Sequence, residues 1–501
     1  MKFKFSNLLK KEYLLLSLMI AIGTFLRLPG VITNSFAFTY DVGRDMLALW
    51  NIVYLHKIPL IGATTGLPGI FYGPWWYYLL VPFFIIFQGD PQGIAFMMVS
   101  IGVLVIVVGF IFGKSIGRLF LGILFASLIS VSPIMIFLST QIWNPNVIPL
   151  FVVLVLFILH KIYSQGKKNK LRYYFILGLL LAFSIDLEIV FGLLLLLGVI
   201  FSVVVIVWKK LSFKSVVFFI LGLFVLLTPR IFFEFRHQFL MTKSFISFFS
   251  GGNSINPTDF STRTLLNRFD IFFNQFNSTL ASENKILGII LILFILITLV
   301  FLYKKSEVIV RNFIKTSFII IATFLFGTIF FSHDIWPHYL VGIPIFYILI
   351  FSLCLYLLYK KLSNYLIPVL MASIIFLINL NPLAVIESLG KPMWEGNAAV
   401  YRNQLAVIDY VYRNAGGKKF KYVVYTPTVH DFPYRYLFIW YGPKKYHYSP
   451  SIDENLAYFI LEPDFEHPFR LLDWLEERKG DGKIIKSEVV KGGIVVQTRI
   501  H

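Results

Sequence analysis

Eleven apolar stretches, most of them about twenty residues long, follow one another along the chain. They lie at roughly 13–30, 92–112, 119–138, 147–163, 171–186, 189–208, 213–232, 286–303, 313–331, 338–359 and 364–380. A helix rises about 1.5 Å per residue, so runs of this length match a hydrocarbon core of about 30 Å. The fold class that follows is mainly α: a polytopic membrane protein of about eleven transmembrane helices. Composition agrees. Of 501 residues, 57% are hydrophobic and only 14% are charged, against about a quarter charged in a soluble protein. Mean hydropathy is +0.77. A soluble globular enzyme and a disordered chain are both excluded.

The net charge of +19 would point to nucleic acid if the basic residues formed one patch. They are instead dispersed in short clusters between apolar runs, as in cytoplasmic loops, so no nucleic-acid partner is expected. Lys2, Lys4, Lys10 and Lys11 put the N-terminus inside. One further apolar stretch, 74–87, decides the rest. If it does not cross, the clusters around Lys114/Arg118, Lys161–Arg172, Lys209–Lys214, Lys304–Lys315 and Lys360/Lys361 all fall inside. If it does cross, they all move outside. The segment is short and rich in Trp and Tyr, so it reads as an interfacial or re-entrant helix. The Lys-rich inner loops favour a plasma (inner) membrane with an anionic inner leaflet. No small-residue cleavage site interrupts the first apolar run, so no cleavable signal is expected.

An odd number of crossings leaves three long regions outside: loops 31–91 and 233–285, and a tail from about 385. The tail has strand-like runs (Tyr422–Thr426, Ala457–Leu461, Gly493–Ile500) and amphipathic helical stretches (Ala399–Arg413, Pro468–Arg478). The expected organisation is therefore a membrane domain over 1–384 and a small extracytoplasmic α/β domain over 385–501.

The first outer loop carries the most chemistry. It reads Phe-Thr-Tyr-Asp-Val-Gly-Arg-Asp-Met-Leu-Ala-Leu-Trp over 38–50, with Met46, Leu49/Trp50 and Val53 at helical spacing. This predicts an amphipathic helix along the membrane surface. Asp41 is placed to cap its start, and Asp45 lies one turn further on the same face. Asp41 as a cap and Arg44 as a headgroup contact is the structural account. Two carboxylates and an arginine at a membrane surface also suit a charged or polyhydroxylated headgroup, and a carboxylate there can act as a general base. The following aromatic stretch, with Tyr72 and Tyr77, reads either as an interfacial belt or as a wall for a sugar ring and a lipid chain.

Other candidates sit in the outer turns. Asn144 and Pro145 have the pattern of a helix cap and first position, with Trp143 and Asn146 as possible site lining. Asp186 and Glu188 occupy a tight turn between apolar helices, where ionisable groups need water or a partner; Glu234 is a similar case. Arg236 reads as snorkelling to headgroups or as an anion ligand. Cys354 lies in an apolar run, as core or lipid-facing packing, and no internal disulfide is possible with one cysteine. The nine histidines are scattered, His333-Asp334 with His338 being the nearest to a cluster, so neither a metal nor another cofactor is read from spacing. Asn277-Ser278-Thr279 is an N-glycosylation pattern.

An acidic residue just after the first span, in Asp41-x-Gly43-Arg44-Asp45, resembles the first outer loop of the lipid-dependent GT-C glycosyltransferases. The similarity is to the protein O-mannosyltransferase and aminoarabinose-transferase branch. Gly73-Pro74-x-x-Tyr77-Tyr78-Leu79-Leu80 resembles the helix after that loop. Ile142-Trp143-Asn144-Pro145-Asn146, Phe233-Glu234-Phe235-Arg236-His237-Gln238-Phe239 and Pro337-His338-Tyr339-Leu340 also match in order and sidedness. The layout covers roughly 1–380. The family has a second acidic residue directly after the first, whereas this chain has Val42.

The resemblance implies inverting transfer of a sugar from a polyprenyl-phosphate donor to a hydroxyl of a glycan, lipid or protein acceptor. It puts the general base at Asp41. Candidates for the donor phosphate are Arg44, Arg236, His237 and His338; Asp45, Tyr72, Tyr77, Trp143, Asn146, Asp186, Glu188, Glu234 and Tyr339 are candidates for lining. Two rival readings are a transporter or flippase of lipid-linked sugars and a non-catalytic membrane scaffold. The paired broken helices of two related halves that mark many transporters are not visible in the sequence.

Overall fold

The computed structural model describes residues 2–164, 170–249, 262–329, 335–380 and 397–500. Its first part is helical throughout: α1 (Lys2–Phe25), α2 (Pro29–Ile32), α3 (Tyr40–Leu55), α4 (Trp75–Ile86), α5 (Pro91–Val131), α6 (Pro133–Thr140), α7 (Ile148–Tyr163) and α8 (Leu171–Leu187). Then follow α9 (Ile189–Val207), α10 (Phe213–Arg236), α11 (Leu240–Phe249), α12 (Thr262–Leu280), α13 (Lys285–Leu302), α14 (Val308–Ile329), α15 (Ile343–Leu362) and α16 (Leu366–Leu380). Among the described residues seven helices are long and apolar enough to cross a membrane, with three shorter apolar ones at Glu12–Phe25, α4 and α16.

Burial sorts these helices. Every residue of α15 from Ile343 to Leu357 is buried, so α15 is the axis of the bundle. Cys354 belongs to this core and does not face lipid. Helices α10 and α13 instead expose Phe213, Phe224, Phe232, Ile286 and Val300, as lipid-facing helices do. Helix 74–87 is present as α4, with Trp76, Tyr77, Leu80 and Phe84 buried.

Three local expectations are corrected. The expected span 119–138 is not one helix: Pro133 removes an amide donor and holds Ser132 at ψ 122°, so the chain breaks into α5 and α6. Helix α5 itself breaks at Gly117–Arg118, where Arg118 has φ 57°. Asp41 is not a cap either: Thr39 holds the N-cap position of α3, and Asp41 sits in the first turn, where a carboxylate favours the helix dipole. Asn144 likewise makes no capping bond; its Nδ2 donates to the Leu187 carbonyl and so ties the α7 entrance to the α8–α9 turn.

The C-terminal part is an α/β unit: α17 (Tyr401–Ala415), β1 (Lys421–Tyr425), α18 (Phe432–Tyr446), β2 (Leu456–Leu461), α19 (Pro468–Glu477), β3 (Lys483–Val489) and β4 (Val495–Ile500). The sheet order is β1-β2-β4-β3, with β1 and β2 parallel and the other pairs antiparallel. Three of its strands and two of its helices fall where periodicity put them. Helix α18 and strand β3 were not anticipated. The first is an aromatic run interrupted by Gly442 and Pro443, and the second is a mostly exposed edge strand with Lys483 and Lys486.

This unit docks through backbone pairing. Ala37 and Val400 form a β-bridge; Phe38 N donates to Ala399 O (2.7 Å) and Tyr401 N to Phe36 O (3.1 Å). Tyr401 Oη donates to Asp90 Oδ1 (3.0 Å), Trp440 Nε1 to Gln88 O (2.8 Å), and Tyr436 Oη to Gly89 O. The Lys-bearing ends of α7, α9 and α15 are the ends remote from this unit, since each of these helices starts at the docking end.

Candidate active site

Helix α3 lies under the C-terminal unit, with Val42, Gly43, Asp45, Met46 and Leu49 buried. Its three charged residues form one cluster. Arg44 Nη1 is 2.6 Å from Asp41 Oδ1, while Arg44 Nε and Nη2 lie 3.0 and 2.9 Å from Asp45 Oδ1. Trp76 Nε1 of α4 donates to the other Asp45 oxygen at 2.8 Å. Asp45 is 2% exposed and saturated by these donors, so it anchors α3 to α4. Tyr77 is buried beside the same cluster. Asp41, on the other side of Arg44's pairing and 21% exposed at its side chain, lines a cavity of about 690 Å³.

That cavity is built from four quarters. Phe38 to Asp41 form one edge, and Ile134, Phe137, Leu138, Ile142, Trp143 and Asn146 come from α6 and the turn after it. Ile271, Asn274, Gln275 and Ser278 come from α12, with Pro337, His338, Leu340 and Val341 at the entrance to α15. The C-terminal unit closes it with Gln404, Thr426, Thr428, His430, Pro433 and Glu462. The membrane-side walls are mainly apolar and the roof is polar. No lysine or arginine is among the described lining residues.

Trp143 meets His338 edge-on at 4.8 Å between centroids, and Tyr339 meets His338 at 4.5 Å. Asn146 donates to Gln141 O at 3.1 Å and lines the cavity beside them. Behind His338 lies a second charged cluster. Asp186 and Glu188 are 1% and 2% exposed, at the α8–α9 turn. Asp186 Oδ1 faces Arg230 Nε of α10 at 3.2 Å, and its Oδ2 accepts from Trp75 N at 3.1 Å. Glu188 Oε2 accepts from Tyr72 Oη at 2.9 Å and lies 3.9 Å from His338 Nε2. Arg230 Nη2 also donates to Phe71 O at 3.1 Å. Burial pushes the Glu188 carboxyl up to about 8. The Asp186–Arg230 ion pair thus sits beside a carboxyl whose burial favours its protonated form.

The structure therefore brings Asp41, Trp143, Asn146 and His338 onto one cavity, with Arg44 bonded to Asp41, and Tyr72, Glu188 and Tyr339 one layer behind. Arg236 and His237 do not reach it; both are exposed at the end of α10. Glu234 accepts from Met241 N, Thr242 N and Thr242 Oγ1, so it caps the start of α11. The N-glycosylation pattern is inaccessible, because Asn277 is buried. His333 and Asp334 lie outside the described residues; among the described residues no three His, Cys, Asp or Glu side chains converge to hold a metal ion.

Sequence reasoning passed over Arg230, Gln275, Gln404, Thr428, His430 and Glu462. Arg230 had a signal: an arginine inside an apolar helix is a functional candidate by default. The others come together only through tertiary docking of segments far apart in the chain.

The fold is GT-C-like. ArnT from Cupriavidus metallidurans bound to undecaprenyl phosphate superposes with a TM-score of 0.60 over 97% of each chain, at 10% identity. The apo state of ArnT gives 0.52 over 90% of this chain and 97% of its own, at 11% identity. The Archaeoglobus fulgidus oligosaccharyltransferase complex with Zn and sulfate gives 0.50 over 88% of this chain and 59% of its own, at 15% identity. No protein-family model and no curated protein matches the sequence.

Proposed function

We propose that the protein transfers a sugar from a polyprenyl-phosphate carrier to a hydroxyl of a cell-surface glycan, lipid or protein, with inversion. The main support is Asp41, a carboxylate at the start of a juxtamembrane helix that faces a cavity with apolar lower walls and a polar roof. A lipid-linked sugar has the same two halves. The likeness to a fold solved with undecaprenyl phosphate adds to this.

In the proposed step Asp41 takes the proton of the acceptor hydroxyl as its oxygen attacks the anomeric carbon. The bond from that carbon to the phosphate oxygen breaks, and the electron pair leaves with the lipid phosphate. Arg44 holds Asp41 oriented. The nearest positive charge for the leaving phosphate is Arg44, and His338 offers a neutral imidazole on the cavity wall as a hydrogen-bond partner. Arg236 and His237, exposed at the end of α10, suit the carrier phosphate on its approach.

Residues 1–384, with outer loops 31–91 and 233–285, are the catalytic membrane domain in this reading, and 385–501 an extracytoplasmic domain. In the same reading the N-terminus is cytoplasmic and the cavity lies on the outer face of the plasma membrane, an orientation that the Lys-rich helix ends support.

The test uses the purified full chain in nanodiscs with a panel of radiolabelled polyprenyl-phosphate sugars. Label leaves the lipid in wild type and stays on it in Asp41→Asn, which must still fold and bind donor. Equal turnover in the two proteins would remove Asp41 as the base. Binding of a donor that is then only moved between leaflets would favour a flippase.

A further inference from the structure

Three polar side chains border the cavity, and two of them hold a buried acceptor without a donor. Glu462 follows β2 directly, fixed by its own amide donating to Tyr425 O at 3.1 Å. Tyr434 Oη donates to Glu462 Oε1 at 2.9 Å, and Gln404 Nε2 reaches the same oxygen at 3.4 Å. Both donors converge on one oxygen of the carboxylate. Gln404 is 1% exposed, yet its Oε1 has no hydrogen-bond partner among the described residues. On the α12 wall, Gln275 shows the same pattern: its Nε2 donates to Leu340 O at 2.8 Å, and its buried Oε1 has no such partner. All three residues line the cavity that Asp41 lines, and the two amide oxygens, which have no water-accessible surface, become reachable to a ligand when their side chains turn towards it.

A buried acceptor without a donor is destabilising, so a matching ligand is one that brings donors. No lysine or arginine of the described lining compensates Glu462. The adjacent turn points the same way. Val429 stands at φ 66° between the lining residues Thr428 and His430, a conformation unusual for a β-branched residue. Thr426 Oγ1 holds that turn by donating to His430 O at 3.2 Å.

We propose that Glu462, Gln404 and Gln275 form a subsite for a hydroxyl-rich sugar ring, whose hydroxyls donate to the Glu462 carboxylate and to the two amide oxygens. Tyr434 is a positioning residue that fixes the Glu462 carboxyl. The subsite rests on the glycosyltransferase reading for the source of the ring, which is either the transferred sugar or the sugar of an acceptor glycan. The C-terminal unit thereby selects the substrate, while Asp41 of the membrane part faces the reacting bond.

The experiment measures binding apart from turnover, with the full chain in nanodiscs. The probes are polyprenyl phosphate with and without an attached hexose, and free oligosaccharides. Variants are Glu462→Gln, Gln404→Leu and Gln275→Leu, with Tyr434→Phe as a change that never enters the cavity. Thermal unfolding establishes that each is folded. Wild type should favour a sugar-bearing ligand, and each cavity variant should lose about ten- to a hundredfold of that preference, with bare polyprenyl phosphate bound as before. Tyr434→Phe should lose less. Loss confined to the lipid-linked hexose assigns the transferred ring, and loss confined to free oligosaccharide assigns the acceptor ring. Sugar preference unchanged in all four variants overturns the subsite, whether or not transfer is observed. Sugar preference lost in the variants without any transfer in wild type upholds the subsite and counts against the transferase reading.

Discussion

A Cβ on Gly43 would stand 2.4 Å from the backbone nitrogen of Pro433, so helix α3 and the start of α18 touch backbone to backbone. Gly43 lies two residues from Asp41, and Pro433 lines the same cavity. The glycine in the Asp-x-Gly-Arg-Asp stretch is thus explained by docking of a segment 390 residues downstream (433 − 43 = 390). Gly43→Ala should push the C-terminal unit off α3 at a cost of about 1–3 kcal/mol. A lower unfolding temperature and faster proteolytic release of the C-terminal unit would register it. An unchanged temperature and digestion pattern would mean that the contact yields freely.

The two carboxylates of that stretch should separate by phenotype. Asp45→Asn removes an acceptor buried between Arg44 and Trp76, so it should lower stability by about 1–3 kcal/mol. Asp41→Asn should leave unfolding nearly unchanged and reduce sugar transfer by about 10²–10⁴-fold. Melting curves and turnover on the same samples decide this, and the reverse assignment would exchange the roles of the two residues.

The Asp186–Arg230 pair is buried against Gly73, where a Cβ would fall 1.4 Å from Asp186 Oδ1. Removing either partner leaves one charge buried alone, which costs about 3–5 kcal/mol. Arg230→Met and Asp186→Asn should each destabilise strongly. The double variant should be less destabilised than the sum of the two. Strict additivity in that cycle would show that the pair is not coupled.

Burial pushes Glu462 up to about 7 from an ordinary 4.5. The folded state therefore binds more protons between these values, and this group's contribution to stability falls as pH rises through 7. The difference of 7 − 4.5 = 2.5 units corresponds to about 3 kcal/mol lost by pH 8. Glu188, pushed up to about 8, acts in the same direction, so Glu462→Gln is needed to isolate the effect. The variant should gain stability over wild type at pH 8 and not at pH 5. Denaturation midpoints at the two pH values measure this; parallel curves would refute it.

The membrane part was legible because its signal is local. Apolar runs longer than fifteen residues give α7 to α10 and α13 to α16 without reference to any partner, and the period of 38–53 gives α3. The break at Gly117–Arg118 falls between the expected spans 92–112 and 119–138, whereas the break at Ser132 was not read, since an apolar run looks continuous unless each Pro is weighed. Asp41 was found because it follows a span. Arg236 was preferred over Arg230 because the chain end of a helix reads as solvated, whereas Arg230 is buried by its bond to Asp186, forty-four residues earlier (230 − 186 = 44). Glu462 and Gln404 carried no signal, being ordinary polar residues of a small α/β unit until that unit docks.

Strand β4 is the far end of this construction. It pairs with β2, whose last residue Leu461 precedes Glu462, and it is made of Val495–Ile500. During synthesis, at about 5–20 residues per second, the interval between Asp41 and Ile500 (500 − 41 = 459 residues) is roughly 20–90 s. The membrane-side walls are complete only once Val341 has been made, and for the remaining 500 − 341 = 159 residues, roughly 8–30 s, the cavity has walls and no roof. The newborn protein is thus kept idle by its own connectivity until its last strand is in place.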